Sequence, residues 1–228
     1  MDLAIIGGTG AEGFGLTLRL AKAGHRVTIG SRDAGRAAAK AEEARGILGA
    51  DANVSGAENP AAAAAAPVVI VTVPFEGAAA IYEAIAPATT PETIVCDCTS
   101  PLMASVGGRA SHALHPWHGS AAEFVRTLLP HGTRLVAGFH TVSAGVLRAL
   151  DKPVDSDTFV MGEDAEAKAT IGSLADDIEG MRWVDLGGLQ MARIAEQMTP
   201  LLISVNVRYK IHDAGFRMTG RDPWGAPG

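Results

Sequence analysis

The sequence predicts an α/β fold: a doubly wound parallel sheet, then a small, mainly helical C-terminal unit. Three observations carry this. Short β-prone apolar runs alternate with helical segments from residue 3 to about residue 150. A glycine-rich turn, Gly7-Gly8-Thr9-Gly10-Ala11-Glu12-Gly13, joins the first run to the first helix. After residue 150 the pattern changes and ends in one long apolar segment. Strands linked by helical crossovers wind right-handed and place helices on both faces of a parallel sheet. The expected division is therefore 1–150 for the sheet domain and 151–228 for a smaller unit closing a cleft against it.

The elements follow in order. Leu3-Ala4-Ile5-Ile6 is apolar and stops at glycines, the pattern of a strand buried on both faces. Residues 14–23 have helical spacing, and Gly24 closes that helix as a C-terminal cap. Residues 26–29 form the second strand and 34–48, rich in alanine and charge, the second helix. Residues 53–56 read as a short strand or turn before an alanine-rich helix at 60–66. Residues 68–73, between Pro67 and Pro74, are strongly β-prone. A helix at 77–85 and a strand at 94–98 come next. Residues 104–119 carry many Gly, Ser and His and read as a loop. Then follow a helix at 121–129 and strands at 134–137 and 158–161. A helix at 165–177 and a strand at 182–185 precede the closing segment, 189–210, which reads as a helix bent by Pro200.

Composition narrows the function. Hydrophobic residues make up 47% and charged residues 19% of the 228, which describes a folded chain. A net charge of −6 argues against a general nucleic-acid binder. The longest apolar run, 61–73, is broken by Pro67 and Thr72 and is too short to span a bilayer. No membrane partner and no leader are read, and the cytoplasm is the expected compartment. Cys96 and Cys98 would share one face of a strand. Two thiols that close are poor disulfide partners and too few for zinc, so buried free cysteines are expected.

Gly8-Thr9-Gly10-Ala11-Glu12-Gly13 fits G-x-G-x-x-G between a strand and a helix, the context that makes it a Rossmann fingerprint. Gly8 permits the tight turn, Gly10 lets a pyrophosphate approach the backbone, and Gly13 lets helix and strand pack closely. The free N–H groups at the helix start would take the phosphates. The end of the second strand selects the dinucleotide. A binder of NAD places an acid there for the ribose 2′-hydroxyl. This chain has Gly30-Ser31-Arg32 instead. Ser31 can donate a hydrogen bond and Arg32 a charge-assisted one to a 2′-phosphate, and Arg36 lies one helical turn further on. NADP(H) is the expected cofactor.

With these residues the chain resembles the NADPH-dependent reductases of coenzyme F420, an 8-hydroxy-5-deazaflavin. The resemblance continues through Val73-Pro74-Phe75-Glu76, Ser100-Pro101-Leu102, Ser120-Ala121-Ala122-Glu123, His140-Thr141 and Met198-Thr199-Pro200-Leu201, and so covers nearly the whole chain. It implies hydride transfer between NADP(H) and coenzyme F420 as co-substrate. It implies that Thr9, Gly10, Ala11 and Glu12 line the pyrophosphate, and that Ser31, Arg32 and Arg36 hold the 2′-phosphate. Pro74, Phe75 and Ala79 would line the nucleotide side of the cleft, and Ala144 would sit near the nicotinamide. The deazaflavin would lie against residues 140–144 and the late helix around Thr199-Pro200. Phe75 stands where the family usually has Trp, and Ser143 where it has Pro.

Hydride transfer between two rings needs alignment and exclusion of water more than acid–base groups. His140, just past the strand at 134–137, is the candidate catalytic side chain, placed to hydrogen-bond an acceptor carbonyl; a purely structural role in its loop is the alternative. Tyr82 reads as helix packing. His112, His115 and His118 are spaced like metal ligands, but Pro116 disrupts a shared helical face, so no metal site is expected there. Trp117 in that loop could stack on an aromatic acceptor. The other functions weighed are NADPH-dependent reduction of a flavin, imine or ketone, and a non-catalytic NADPH sensor. The apolar length of 189–207 exceeds what a small unit buries, so a homodimer is expected.

Overall fold

In the computed structural model, which describes residues 1–220 and 224, eight strands form one sheet. The chain runs β1 (Asp2–Ile6), α1 (Ala11–Lys22), β2 (Arg26–Ser31), α2 (Ala34–Leu48), β3 (Val54–Glu58), α3 (Asn59–Ala64) and β4 (Val68–Val71). It continues through α4 (Phe75–Ile85), β5 (Ile94–Asp97), α5 (Ala121–Arg126), β6 (Arg134–Ala137) and α6 (Ala144–Arg148). Last come β7 (Asp157–Gly162), α7 (Ala165–Asp176), β8 (Arg182–Gly187) and α8 (Ala192–Tyr209). The strand order is β3-β2-β1-β4-β5-β6-β7-β8, parallel throughout except where β7 runs antiparallel to β6. The sheet is therefore doubly wound, with its reversal of order between β1 and β4, the crevice where ligands of such sheets bind.

The strands are apolar on both sides because both faces are covered. Leu3 and Ile5 of β1 point into one layer with Phe14 and Leu16 of α1 and Ala37 of α2. Ala4 and Ile6 point into the other with Val69, Tyr82 and Ile85. Each fully buried aliphatic side chain of this kind contributes about 1.5–3 kcal/mol relative to exposure. β1 stops where Gly7 takes a φ of +75°, and a Cβ there would lie 2.8 Å from the Thr72 carbonyl oxygen.

Strands β7 and β8, both beyond residue 151, share this sheet. β7 pairs with β6 through Val136 and Gly162, and β8 extends the edge in parallel with β7. The expected strand at 68–73 ends at Val71; at Thr72 both the N–H and the hydroxyl donate to the Ile6 carbonyl. Pro200 lies inside α8 without ending it.

Helix α6 was not legible as an element, yet it is firmly placed. The Arg19 guanidinium is buried and donates to the carbonyls of Leu147, Val146, Ala149 and Lys152 at 2.6–3.0 Å. Gly15 permits this contact, since a Cβ on it would come within 2.6 Å of Leu147 Cβ. Together Arg19 and Gly15 seat α6, and hence Ala144 at its start, against α1, the helix that the glycine-rich loop opens.

Candidate active site

The glycine loop sits at the crevice with each glycine in a distinct role. A Cβ on Gly13 would lie 2.3 Å from Thr72 Oγ1 and 2.8 Å from Gly8 Cα, so α1 reaches β4 only with glycine there. A Cβ on Gly8 would lie 2.8 Å from the Ile5 carbonyl. Gly10 is different: its nearest neighbour would be the Gly7 carbonyl at 3.2 Å, and the rest of its surroundings are open. Gly10 is also the N-cap of α1 and has no side chain to occupy the helix's first N–H groups.

A cavity of about 350 Å³ opens there, lined by Thr9, Gly10, Ser31, Arg32, Arg36 and Pro74, with Asn59 and Thr72 beneath. Six of the residues expected at the nucleotide thus converge. Asp33, the one acid beside the arginines, is turned away: its carboxylate caps α2 by accepting the Arg36 N–H at 2.7 Å. No ion pair among the described residues involves Arg32 or Arg36. The site therefore offers a serine hydroxyl and two uncommitted guanidiniums, the donor set a 2′-phosphate requires. Asn59 carries no motif in the sequence; its side chain is buried and its Oδ1 has no partner.

Other expected residues stand apart from this cavity. Ala11 is exposed at the start of α1. Phe75 packs edge-on against Phe124 with centroids 5.9 Å apart, and Ala79 lies on another face of α4 than Glu76, Gly77 and Ala80, which do line the cavity. Burial pushes the carboxyl of Glu12 up to about 8, with repulsion from Asp97 adding to it. His112, His115 and His118 are exposed; His118 meets the ring of Phe124 at 5.1 Å, and Trp117 projects fully into solvent. A larger cavity of about 570 Å³, lined by Ser143, Val146, Pro153 and Ile211, contains none of the nucleotide-loop residues.

His140 stands at the carboxyl ends of the strands. The chain leaves β6 through Gly138, whose N–H donates to the Asp97 carbonyl, and through Phe139 at φ +63°. A buried phenylalanine in the left-handed region costs on the order of 1 kcal/mol or more and persists only where its surroundings impose it. Here the Phe139 N–H donates to Thr158 Oγ1, and the His140 carbonyl accepts from Thr199 of α8 at 2.8 Å. Thr199 shares a second hydrogen bond with Ser100. The loops after β5 and β6 are thereby tied to α8 at Thr199, one of the two α8 residues singled out in the sequence. Burial lowers the His140 pKa to about 4, so the ring is neutral, and both its nitrogens lack partners.

The profile of the family described as NADP oxidoreductase, coenzyme F420-dependent, matches residues 2–101. An F420-dependent NADP reductase of Methanothermobacter thermautotrophicus is 42% identical over 221 residues, covering 96% of this chain and 95% of that one. The chain belongs to the F420-dependent NADP reductase family. Another relative so named, from Methanocaldococcus jannaschii, is 40% identical, covering 96% of this chain and 98% of its own. A crystal structure from Arthrobacter sp. FB24, provisionally described as an F420-dependent NADP-reductase, superposes with a TM-score of 0.80 at 27% identity. It covers 96% of this chain and 100% of that chain. An imine reductase of Streptomyces aurantiacus superposes at 0.60 with 19% identity, over 90% of this chain and 61% of that one, a likeness of fold alone.

Proposed function

We propose that this chain catalyses reversible hydride transfer between NADP(H) and coenzyme F420, in the cleft bounded by the glycine loop, residues 140–144 and α8. The observation that carries the reading is the family identity over 96% of the chain combined with the uncommitted Ser31, Arg32 and Arg36 at the end of β2. NADPH supplies the hydride from its nicotinamide C4. The protein binds the pyrophosphate on the backbone at Thr9 and Gly10 and the 2′-phosphate on Ser31 and the arginines. Ala144 keeps the nicotinamide end of the cleft narrow enough for alignment and wide enough for two rings. His140, neutral and with its nitrogens free, hydrogen-bonds the acceptor. Helix α8 closes the acceptor side. The exposed Ile194, Leu201 and Val207 on α8 support a homodimer, and the cytoplasm is its compartment.

Arg32→Ala is expected to weaken NADPH binding by roughly 1.5–3 kcal/mol, the worth of a hydrogen bond to a charged group, while NADH binding changes little. Titration of both nucleotides against wild type and variant checks this; equal wild-type affinity for NADPH and NADH would refute the 2′-phosphate assignment.

The reaction itself is tested with deuterium on the transferred nicotinamide C4 position. Direct transfer delivers the label to the deazaflavin C5; loss of the label to solvent excludes it. Ala144→Leu should then slow turnover on the order of a hundredfold, because about 1 Å of misalignment has that effect, with a smaller change in NADPH affinity. Normal turnover in that variant would move the nicotinamide elsewhere.

A further inference from the structure

Three acid and imidazole side chains from different elements meet in the core. Asp97 ends β5, His140 follows β6, and Glu196 lies on α8. One ligand-type atom from each lies within 4.8 Å of the other two. The residues are 0%, 5% and 2% exposed. No hydrogen bond joins any pair of them: both His140 nitrogens and Asp97 Oδ2 are buried without a partner.

The carboxylates are nonetheless held firmly from behind. Asp97 Oδ1 accepts from the Tyr82 hydroxyl and from Thr99 Oγ1, both at 2.7 Å, leaving Oδ2 bare. Glu196 accepts the backbone N–H groups of Ala121 and Ala122 at 2.8 and 3.0 Å. Hydrogen bonds of this kind orient metal ligands from the outside: Asp97 keeps Oδ2 free, while Glu196 accepts Ala121 N–H on Oε2 and Ala122 N–H on Oε1, each oxygen retaining a second lone pair. All these donors are neutral, and burial outweighs their hydrogen bonds, pushing the Asp97 carboxyl up to about 6 and the Glu196 carboxyl up to about 8. His140 adds a neutral nitrogen, the form in which imidazole ligates.

We propose that Asp97, His140 and Glu196 form a binding site for one divalent first-row transition cation, of the Mn²⁺ or Zn²⁺ kind. The donor set decides the class. One imidazole with two carboxylates suits Mn²⁺, Fe²⁺ or Zn²⁺, whereas Mg²⁺ and Ca²⁺ favour oxygen throughout and Cu⁺ favours sulfur. The three atoms, all within 4.8 Å of one another, would close around a single ion at ligand distances of about 2.0–2.2 Å. Three protein ligands leave at least one coordination position open. One His140 nitrogen would ligate the ion and the other is left for the acceptor, so the proposal rests on the geometry of the cluster and not on which acceptor takes the hydride.

The test is metal content. The intact protein is dialysed against Mn²⁺ or, separately, Zn²⁺, exchanged into metal-free buffer and analysed for metal per chain. About one ion per chain is expected, falling at least tenfold in Asp97→Asn and in Glu196→Gln. A variant with His112, His115 and His118 all changed to alanine is expected to keep its full load, since that loop is exposed and lies outside the cluster. The Co²⁺-loaded wild type supplies a reading that requires no buried substitution. Its visible spectrum should show nitrogen and oxygen coordination with no sulfur-to-metal charge-transfer band. The proposal is overturned if the wild type retains no metal, as it would if a water or shared protons fill the point. It is equally overturned if Asp97→Asn and Glu196→Gln keep the ion, if the loop variant loses it, or if the spectrum reports Cys96 or Cys98.

Discussion

Replacing Gly10 by valine is expected to abolish NADP(H) binding while the protein stays folded. The backbone at Gly10 has φ −75° and ψ 168°, extended values that valine adopts readily. Its Cβ would meet only the Gly7 carbonyl at 3.2 Å, so little in the folded chain resists it. The same Cβ and its methyls would stand at the cavity wall, where the pyrophosphate approaches the first N–H groups of α1. Losing two or more hydrogen bonds to a charged group corresponds to more than about 3 kcal/mol of binding. Calorimetric titration with NADPH, beside a melting curve, checks both halves. A folded Gly10→Val protein with wild-type affinity would show that the phosphates lie elsewhere. Gly13→Val supplies the contrast. Its Cβ would sit 2.3 Å from Thr72 Oγ1 and 2.8 Å from Gly8 Cα, so that variant should lose stability as well as binding. Two glycines of one motif thus separate ligand approach from chain packing.

Much of the fold was legible because its signals are local. Val68-Val69-Ile70-Val71 is apolar throughout, and a strand buried on both faces has to be. The loop at residues 7–13 and the Ser31-Arg32 pair were legible for a related reason: the shape of a dinucleotide imposes glycine and arginine at fixed places. What stayed hidden depends on contacts distant in sequence. Helix α6 has only five residues, and Arg19, which holds it through four carbonyls, reads in the sequence as an ordinary helix charge. Tyr82 was read as packing, yet its hydroxyl donates to Asp97. Glu196 did leave a trace. It falls four residues after Ala192 and four before Pro200, on the stripe of α8 that is buried, where a carboxylate calls for a partner. That partner, the start of α5, lies some seventy-five positions earlier, and no spacing rule reaches so far. The joining of β7 to β6 is hidden likewise, since an antiparallel pairing after a long connection has no sequence mark.

Asp157→Asn is expected to be the most destabilising single substitution at a polar position outside the nucleotide cleft. Asp157 opens β7 and is fully buried. Its carboxylate accepts from Arg182 through two parallel N–H bonds of 2.8 Å, from Arg217 Nη1 at 2.7 Å and from the Met218 N–H at 2.6 Å. One side chain thus binds strand β8 and the segment after α8 to the sheet edge. Asparagine keeps the shape but removes the charge and turns one acceptor into a donor facing two guanidiniums. Breaking a buried pair of this kind costs about 3–5 kcal/mol. The lower end applies, because the Arg182 and Arg217 side chains remain 36% and 31% exposed and water screens them in part. About 3 kcal/mol in a chain of this length lowers the melting temperature by roughly 6–12 °C. The difference should also depend on pH. Burial alone would raise the Asp157 pKa, but Arg182, the Met218 N–H and Arg217 outweigh it and hold it below the ordinary carboxylate value. A carboxyl lowered in the folded state stabilises fully above its unfolded pKa, about 3.9, and loses that contribution as pH falls through the folded value. Wild type and variant should therefore differ most at neutral pH and converge under acid. Melting curves at neutral pH and below pH 4 decide it: a neutral-pH difference of less than about 1 kcal/mol, or a gap that widens in acid, would show that Asp157 does not hold this edge by charge.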